Sequence, residues 1–119
     1  MSKNLLEKRF PSLFAIALAL LSLASHAAGA AAQSPPAELA GRNGCMACHG
    51  LVHKQVGPGF AQIAQRYRND GEAPARLAAK IRSGSVGTWG RVIMPRQPQV
   101  SEVEARSLAQ WVLSQPAPP

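Results

Sequence analysis

The heptapeptide GCMACHG (44–50) holds both cysteines of a 119-residue chain, three positions apart, with His49 directly after the second. Around it the chain offers little to build a core from. Beyond residue 32 the only large aromatics are Phe60, Tyr67, Trp89 and Trp111. A domain of fewer than roughly 90 residues buries too little apolar surface to be stable in comfort without a staple or an insert. The heptapeptide therefore has to be read together with whatever fills the centre.

Residues 1–32 do not read as part of that domain. Lys3, Lys8 and Arg9 come first, LFAIALALLSLA (13–24) follows without a charge, and small residues run through SHAAGAAAQ (25–33). That order predicts a secretory signal peptide over 1–32, with cleavage after Ala27, Ala30 or Ala32. The apolar run is short of the roughly 20 residues a membrane span needs, so stable membrane insertion is not expected; a retained anchor is the alternative. Residues 33–119 then form one exported, periplasmic domain. Without Lys3, Lys8, Arg9 and Glu7 it carries ten basic and five acidic residues, a net charge of +5. The basic residues are scattered, which reads as a solvated surface with a mild bias toward acidic partners. Nucleic acid is not expected as a partner, because no dense basic run or binding motif exists.

Four helical patterns are readable, and no alternation of strand type. The first covers about 36–47 and runs into the cysteines. FAQIAQRY (60–67) places Phe60, Ile63, Ala64 and Tyr67 on one stripe. APARLAAKIRSG (73–84) has Pro74 in a first turn, Leu77, Ala78 and Ile81 on one face, and Gly84 as a stop. SEVEARSLAQWVLS (101–114) opens with a capping box between Ser101 and Glu104, and its buried face reads Ala105, Leu108, Trp111 and Val112. Two loops remain, GLVHKQVGPG (50–59) and the Gly- and Pro-rich GSVGTWGRVIMPRQPQV (84–100). A loop as long as the second, in so small a domain, usually carries function.

Four chemistries suit two cysteines so placed. A disulfide across two residues closes a tiny loop and leaves the core unexplained. Thiol exchange wants the cysteines at a helix start within a strand-helix-strand pattern, whereas here a helix precedes them. Zinc would need Cys45, Cys48, His49 and His53 around one tetrahedron, although adjacent residues 48 and 49 meet there poorly. Covalent haem fits best: Cys-x-x-Cys-His is its attachment signature. Two cysteines on one side of a turn can form thioethers with the vinyl groups of one haem edge. His49 then reaches the iron from the same face, and the macrocycle supplies the missing core. On this reading the cofactor is a single haem c, bound through Cys45 and Cys48.

The second axial position follows by elimination. Met1 and His26 leave with the leader, His53 sits too close to His49, and Met46 is held between the cysteines. Met94 remains, in the long loop, followed by Pro95, which restricts its backbone to extended conformations. His49 and Met94 are therefore the candidate metal ligands.

Taken together, GCMACH, VGPGF, GSVGTWGRVIMP and SEVEARSLAQWVLSQ resemble the short bacterial class I cytochromes c of the cytochrome c-551 (cytochrome c8) type, from about Glu38 to Gln115. The resemblance implies an all-α fold of about four helices wrapped on one haem c, with the first and last helices crossing. It implies the same axial pair, His49 and Met94. It also implies that the Pro58 carbonyl accepts the His49 Nδ1 proton, that the Trp89 indole meets a haem propionate, and that Lys80 lies near that propionate. One departure is visible. After Met94-Pro95 the chain reads RQPQVS, where the family's usual loop has a second proline, then Asn or Gln, and is one residue shorter, which leaves both Gln97 and Gln99 as partners for the methionine sulfur.

With both axial positions filled, the iron has no place for substrate, so the expected protein is an electron carrier and not an enzyme. Methionine opposite histidine favours the reduced state. A soluble, monomeric periplasmic carrier would take electrons from a quinol-oxidising complex or another cytochrome and pass them to a nitrite reductase or terminal oxidase. Transient docking at the exposed haem edge would serve both partners. The alternatives are a haem-bearing subunit of a larger membrane complex, and a gas sensor or peroxidase with a labile Met94.

Overall fold

The structure, a computed structural model, describes residues 33–119. The predicted leader (1–32) and its three candidate cleavage positions lie outside the described residues.

Helix α1 (Pro36–Arg42) starts with proline in its first turn and is shorter than its sequence pattern predicts. Asn43 ends it: both its backbone N–H and its side-chain Nδ2 donate to the Leu39 carbonyl, at 3.1 and 2.9 Å. Gly44 then takes a φ of 69°, a left-handed conformation that costs other residues dearly. The chain restarts as a separate 3₁₀ turn over Cys45–Ala47. One continuous helix to residue 47 is thus replaced by a helix, a glycine hinge and a tight turn.

Helix α2 (Phe60–Arg66) is opened by Gly59, whose N–H donates to Gln62 Oε1 at 2.9 Å. Helix α3 (Ala73–Ser83) has proline in its first turn and ends on Gly84, at φ 76°. Helix α4 (Glu102–Leu113) opens with the predicted capping box. Glu104 N–H donates to Ser101 Oγ at 3.2 Å, and Ser101 N–H donates to the Glu104 carboxylate at 2.9 Å.

The stretch 84–100 is more ordered than its glycine and proline content predicts. Strand β1 (Ser85–Gly87) pairs antiparallel with β2 (Gly90–Met94), Ser85 opposite Met94 and Gly87 opposite Gly90, with one irregularity between. Gly87 and Gly90, at φ 88° and 97°, let the chain reverse around a two-residue tip, Thr88-Trp89. The fold remains helical in its core, with this hairpin laid against it.

Packing occurs in two clusters. In one, Leu39 and Ala40 of α1, Ala78 of α3, Val100, and Ala105, Leu108 and Ala109 of α4 are buried together. In the other, Phe60 and Ile63 of α2 pack on Val112 of α4. Burial of Leu108 or Val112 contributes roughly 1.5–3 kcal/mol each. The alanines among them bring the helix backbones close but bury little. Trp111, read as a buried residue of α4, is half-buried instead, and Ala109 takes the deeper place. The larger apolar side chains (Leu77, Ile81, Tyr67, Trp89 and Trp111) are all half-buried and border one cleft.

Candidate functional site

That cleft is lined by the cysteine turn, the 50–59 loop, the hairpin and all four helices. Its walls include Cys45, Cys48, His49, Pro58, Lys80, Trp89 and Met94, which are all seven of the residues singled out from the sequence. It takes in about 1330 Å³ of space outside the protein atoms, its open mouth included. Ile63, Tyr67, Leu77, Ile81, Leu108 and Trp111 supply its largely apolar lining.

One edge is the 3₁₀ turn. The Cys45 carbonyl accepts both the Cys48 N–H (3.2 Å) and the His49 N–H (3.0 Å), so a single tight turn presents two sulfurs and an imidazole. Neither cysteine is joined in a disulfide. Burial pushes the Cys45 thiol up from its ordinary value, against a smaller opposing pull from its own backbone hydrogen bond. A thiol held in its neutral form is a poor participant in disulfide exchange. The zinc alternative fares no better: among the described residues no three His, Cys, Asp or Glu side chains gather to hold a metal ion.

His49 is 9% exposed, and three neighbours fix its ring. Its Nδ1 donates to the Pro58 carbonyl at 2.7 Å, which leaves Nε2 as the nitrogen with a free lone pair. Phe60 stacks on it with ring centroids 5.2 Å apart and planes 15° apart, and Trp111 in turn meets the Phe60 edge at 5.1 Å. On another side lies Gly57, where a Cβ would stand only 3.0 Å from His49 Cε1. The loop that carries Gly57 and Pro58 is strapped at both ends. Gly57 N–H donates to the Cys48 carbonyl at 2.8 Å, and Phe60 and Ala61 donate to Gly50 and Leu51 at 2.9 Å each.

The other end of the cleft is the hairpin. Met94 closes β2 and is half-buried, and the backbone of Gly84 packs against it. A Cβ on Gly84 would lie 2.7 Å from the Met94 carbonyl oxygen. Just beyond, Gln97 N–H donates to the Ile81 carbonyl at 3.2 Å and ties the segment to α3. At the hairpin tip Lys80 Nζ donates to Thr88 Oγ1 at 2.7 Å, one residue from Trp89. Neither glutamine left open by the sequence bonds the methionine sulfur. Gln97 lines the cleft with Nε2 directed to the Pro95 carbonyl at 3.4 Å, and Gln99 Nε2 donates to Gln97 Oε1 at 2.7 Å.

A cleft of this make, with a cysteine pair on one turn and an oriented imidazole, can be compared with known proteins. Residues 35–116 match the Cytochrome c family. The chain belongs to that family. Cytochrome c-552 of Hydrogenobacter thermophilus is 49% identical over 77 residues, covering 65% of this chain and 78% of that protein. Cytochrome c-551 of Pseudomonas aeruginosa is 41% identical over 98 residues, covering 82% of this chain and 93% of that one. The crystal structure of wild-type Nitrosomonas europaea cytochrome c552 matches with a TM-score of 0.65 at 43% identity, over 66% of this chain and 98% of that one. The fold is that of a class I cytochrome c, and its relatives are small electron carriers, not enzymes.

Covalent haem c is the cofactor of such cytochromes. The residues present fit it. The cleft is apolar where a flat macrocycle would lie, two cysteine side chains line it in the attachment spacing, and an imidazole oriented through its Nδ1 forms part of its wall. Sequence reasoning missed the hairpin, and it missed that Gly57, and Gly84 beyond its role as a helix stop, let the backbone approach His49 and Met94. The tip gave no signal of the favoured kind, which places glycine or asparagine at the two tip positions, because this tip is Thr88-Trp89 and its glycines flank it. None existed for either close approach.

Proposed function

We propose that this cytochrome is an exported one-electron carrier whose haem c is held by Cys45 and Cys48 and ligated by His49 and Met94. The haem, when bound, supplies a single iron that cycles between two oxidation states. The protein's own groups set how. Pro58 keeps the His49 proton on Nδ1 and so keeps Nε2 available and basic, at the cost of no extra buried charge. Met94 offers a neutral thioether, which favours the reduced state and raises the potential. Lys80 and Trp89 carry the polar hydrogens that would meet a propionate. The observation that carries this reading is the lock on His49 within the same cleft that Met94 lines.

The order of basic, apolar and small residues over 1–32 supports export to the periplasm, and among the described residues no helix is long and apolar enough to cross a membrane. Docking would occur where the cleft opens. Val56, Val86, Val92 and Ile93 line it and are about half exposed or more, Ile93 reaching 69%. The segments 50–59 and 84–100 that carry them include Lys54, Arg91 and Arg96 and no acidic residue. That charge pattern favours brief encounters with acidic donors and acceptors, such as a quinol-oxidising complex and a terminal reductase.

Potentials of Met94→Ala and Met94→His test the assignment. Alanine is expected to lower the potential and open the iron to external ligands. Histidine is expected to lower the potential while keeping six-coordination. A wild-type potential in Met94→Ala would remove Met94 from the iron.

A further inference from the structure

The hairpin is held at its tip by a residue that none of the roles above uses. Arg66, the last residue of α2, donates from Nη1 to the Thr88 carbonyl at 2.9 Å. The same guanidinium lies 4.5 Å from the centroid of the Trp89 ring and 5.9 Å from that of Tyr67. Among the described residues the ion pairs are Arg76–Asp70 and Arg106–Glu102, so Arg66 spends its charge on the hairpin and not on a carboxylate. It joins two points 22 residues apart, and the strand pairing carries that restraint from the tip to the Ser85–Met94 pair at the far end.

We propose that Arg66 is a positioning residue, clamping the hairpin tip to α2 and thereby holding Met94 in place at the hairpin's other end. The reason lies in the hairpin itself. Its two strands have three and five residues, three of its eight residues are exposed aliphatic side chains, and glycines flank its tip. An isolated two-stranded hairpin is at best marginally stable in water. A carbonyl bonded by a cation and a ring face covered by it supply a directional anchor and an apolar one at the same point. Lysine could keep the charge but not the planar stack together with the hydrogen bond.

This inference rests on the assignment of Met94 to the iron, so the experiment reads the hairpin and the ligand separately. Ferric holoprotein is prepared as wild type, R66M, R66K and, as a control of equal charge loss elsewhere, R76M. Amide hydrogen exchange is followed over residues 85–94, and the rate at which added imidazole captures the iron is measured alongside. R66M is expected to speed both by roughly five- to tenfold, the size of one exposed cation–ring contact plus one solvent-exposed hydrogen bond at the low end of their ranges. R66K is expected to fall between R66M and wild type, and R76M to match wild type. Exchange and capture within twofold of wild type in R66M, with the helices intact, would overturn the clamp, as would an equal effect in R76M. If R66M does not fold, R66K against R76M decides in the same sense. If wild-type protein itself captures imidazole without a limiting opening step, the Met94 assignment fails, and hairpin exchange alone then decides the clamp.

Discussion

The two ends of the cleft are built to different standards. At the His49 end, a buried ring is fixed by a carbonyl, a stacked phenyl and a bare glycine backbone, on a loop bonded at both ends to the segments beside it. At the Met94 end, a half-buried side chain closes a short hairpin whose tip is held by two side chains from α2 and α3. Under the proposed ligation by His49 and Met94, the difference follows the chemistry of the two donors. Imidazole binds through one nitrogen and must have its proton placed elsewhere, so the protein fixes its tautomer. A thioether is never protonated and binds weakly, so its place on the iron depends on where the backbone delivers it.

The largest expected effect lies with what the two ends share. Replacing both Cys45 and Cys48 by Ser is expected to abolish stable folding, because the largest apolar side chains border the cleft and the clusters behind it are rich in alanine. Circular dichroism of the purified variant checks this. Native helix content without bound haem would mean that the protein core suffices alone.

A smaller effect separates the ends. Gly84→Ala places a Cβ 2.7 Å from the Met94 carbonyl, at a φ of 76° that alanine resists. A destabilisation of about 1–3 kcal/mol is expected, with Met94 ligation weakened and the His49 signals retained. Gly57→Ala meets a ring and not backbone, with its closest approach at 3.0 Å. It is expected to cost less stability and to alter the environment of His49, read in the imidazole proton shifts of the ferrous protein. If both variants disturb the two ligands alike, the ends are not independent.

How much of this was legible in the sequence follows the same division. The Ser101–Glu104 box and Gly84 as a helix stop are local signals, fixed by residues within one turn, and both stand in the structure. The cysteine turn and its histidine are likewise one contiguous string. The overlong reading of α1 passes over Asn43-Gly44, a local stop signal of the same kind as Gly84, at which the helix ends. The hairpin strands are too short to show alternation. The meeting of Arg66 with Thr88 and Trp89 joins parts of the chain that only the tertiary fold brings together.

The smallest expected effect lies away from both ends. Ser101→Ala removes a helix cap and is expected to cost about 1 kcal/mol without moving the potential. The hydrogen bonds from the Ser101 backbone, and then from its side chain, hold the Glu104 carboxyl below its ordinary value. A carboxylate whose folded pKa is depressed stabilises the fold above its unfolded pKa, and that contribution fades as pH falls through the folded value. Thermal melts through the acid range are expected to fall less steeply in Ser101→Ala than in wild type. Equal slopes would mean that the Ser101 hydroxyl adds nothing to the hold of the Ser101 backbone N–H on Glu104.

Met94 on the iron is what the carrier role most requires, and carbon monoxide tests that directly. Carbon monoxide needs an open position on ferrous iron, and Met94 bound there as proposed would deny it one. Stopped-flow mixing of reduced wild-type protein with carbon monoxide at neutral pH is expected to show slow, incomplete binding, and Met94→Ala to bind it readily. Rapid and tight binding by the unmodified protein would contradict a filled sixth position, and with it the reading of this cytochrome as a simple electron carrier.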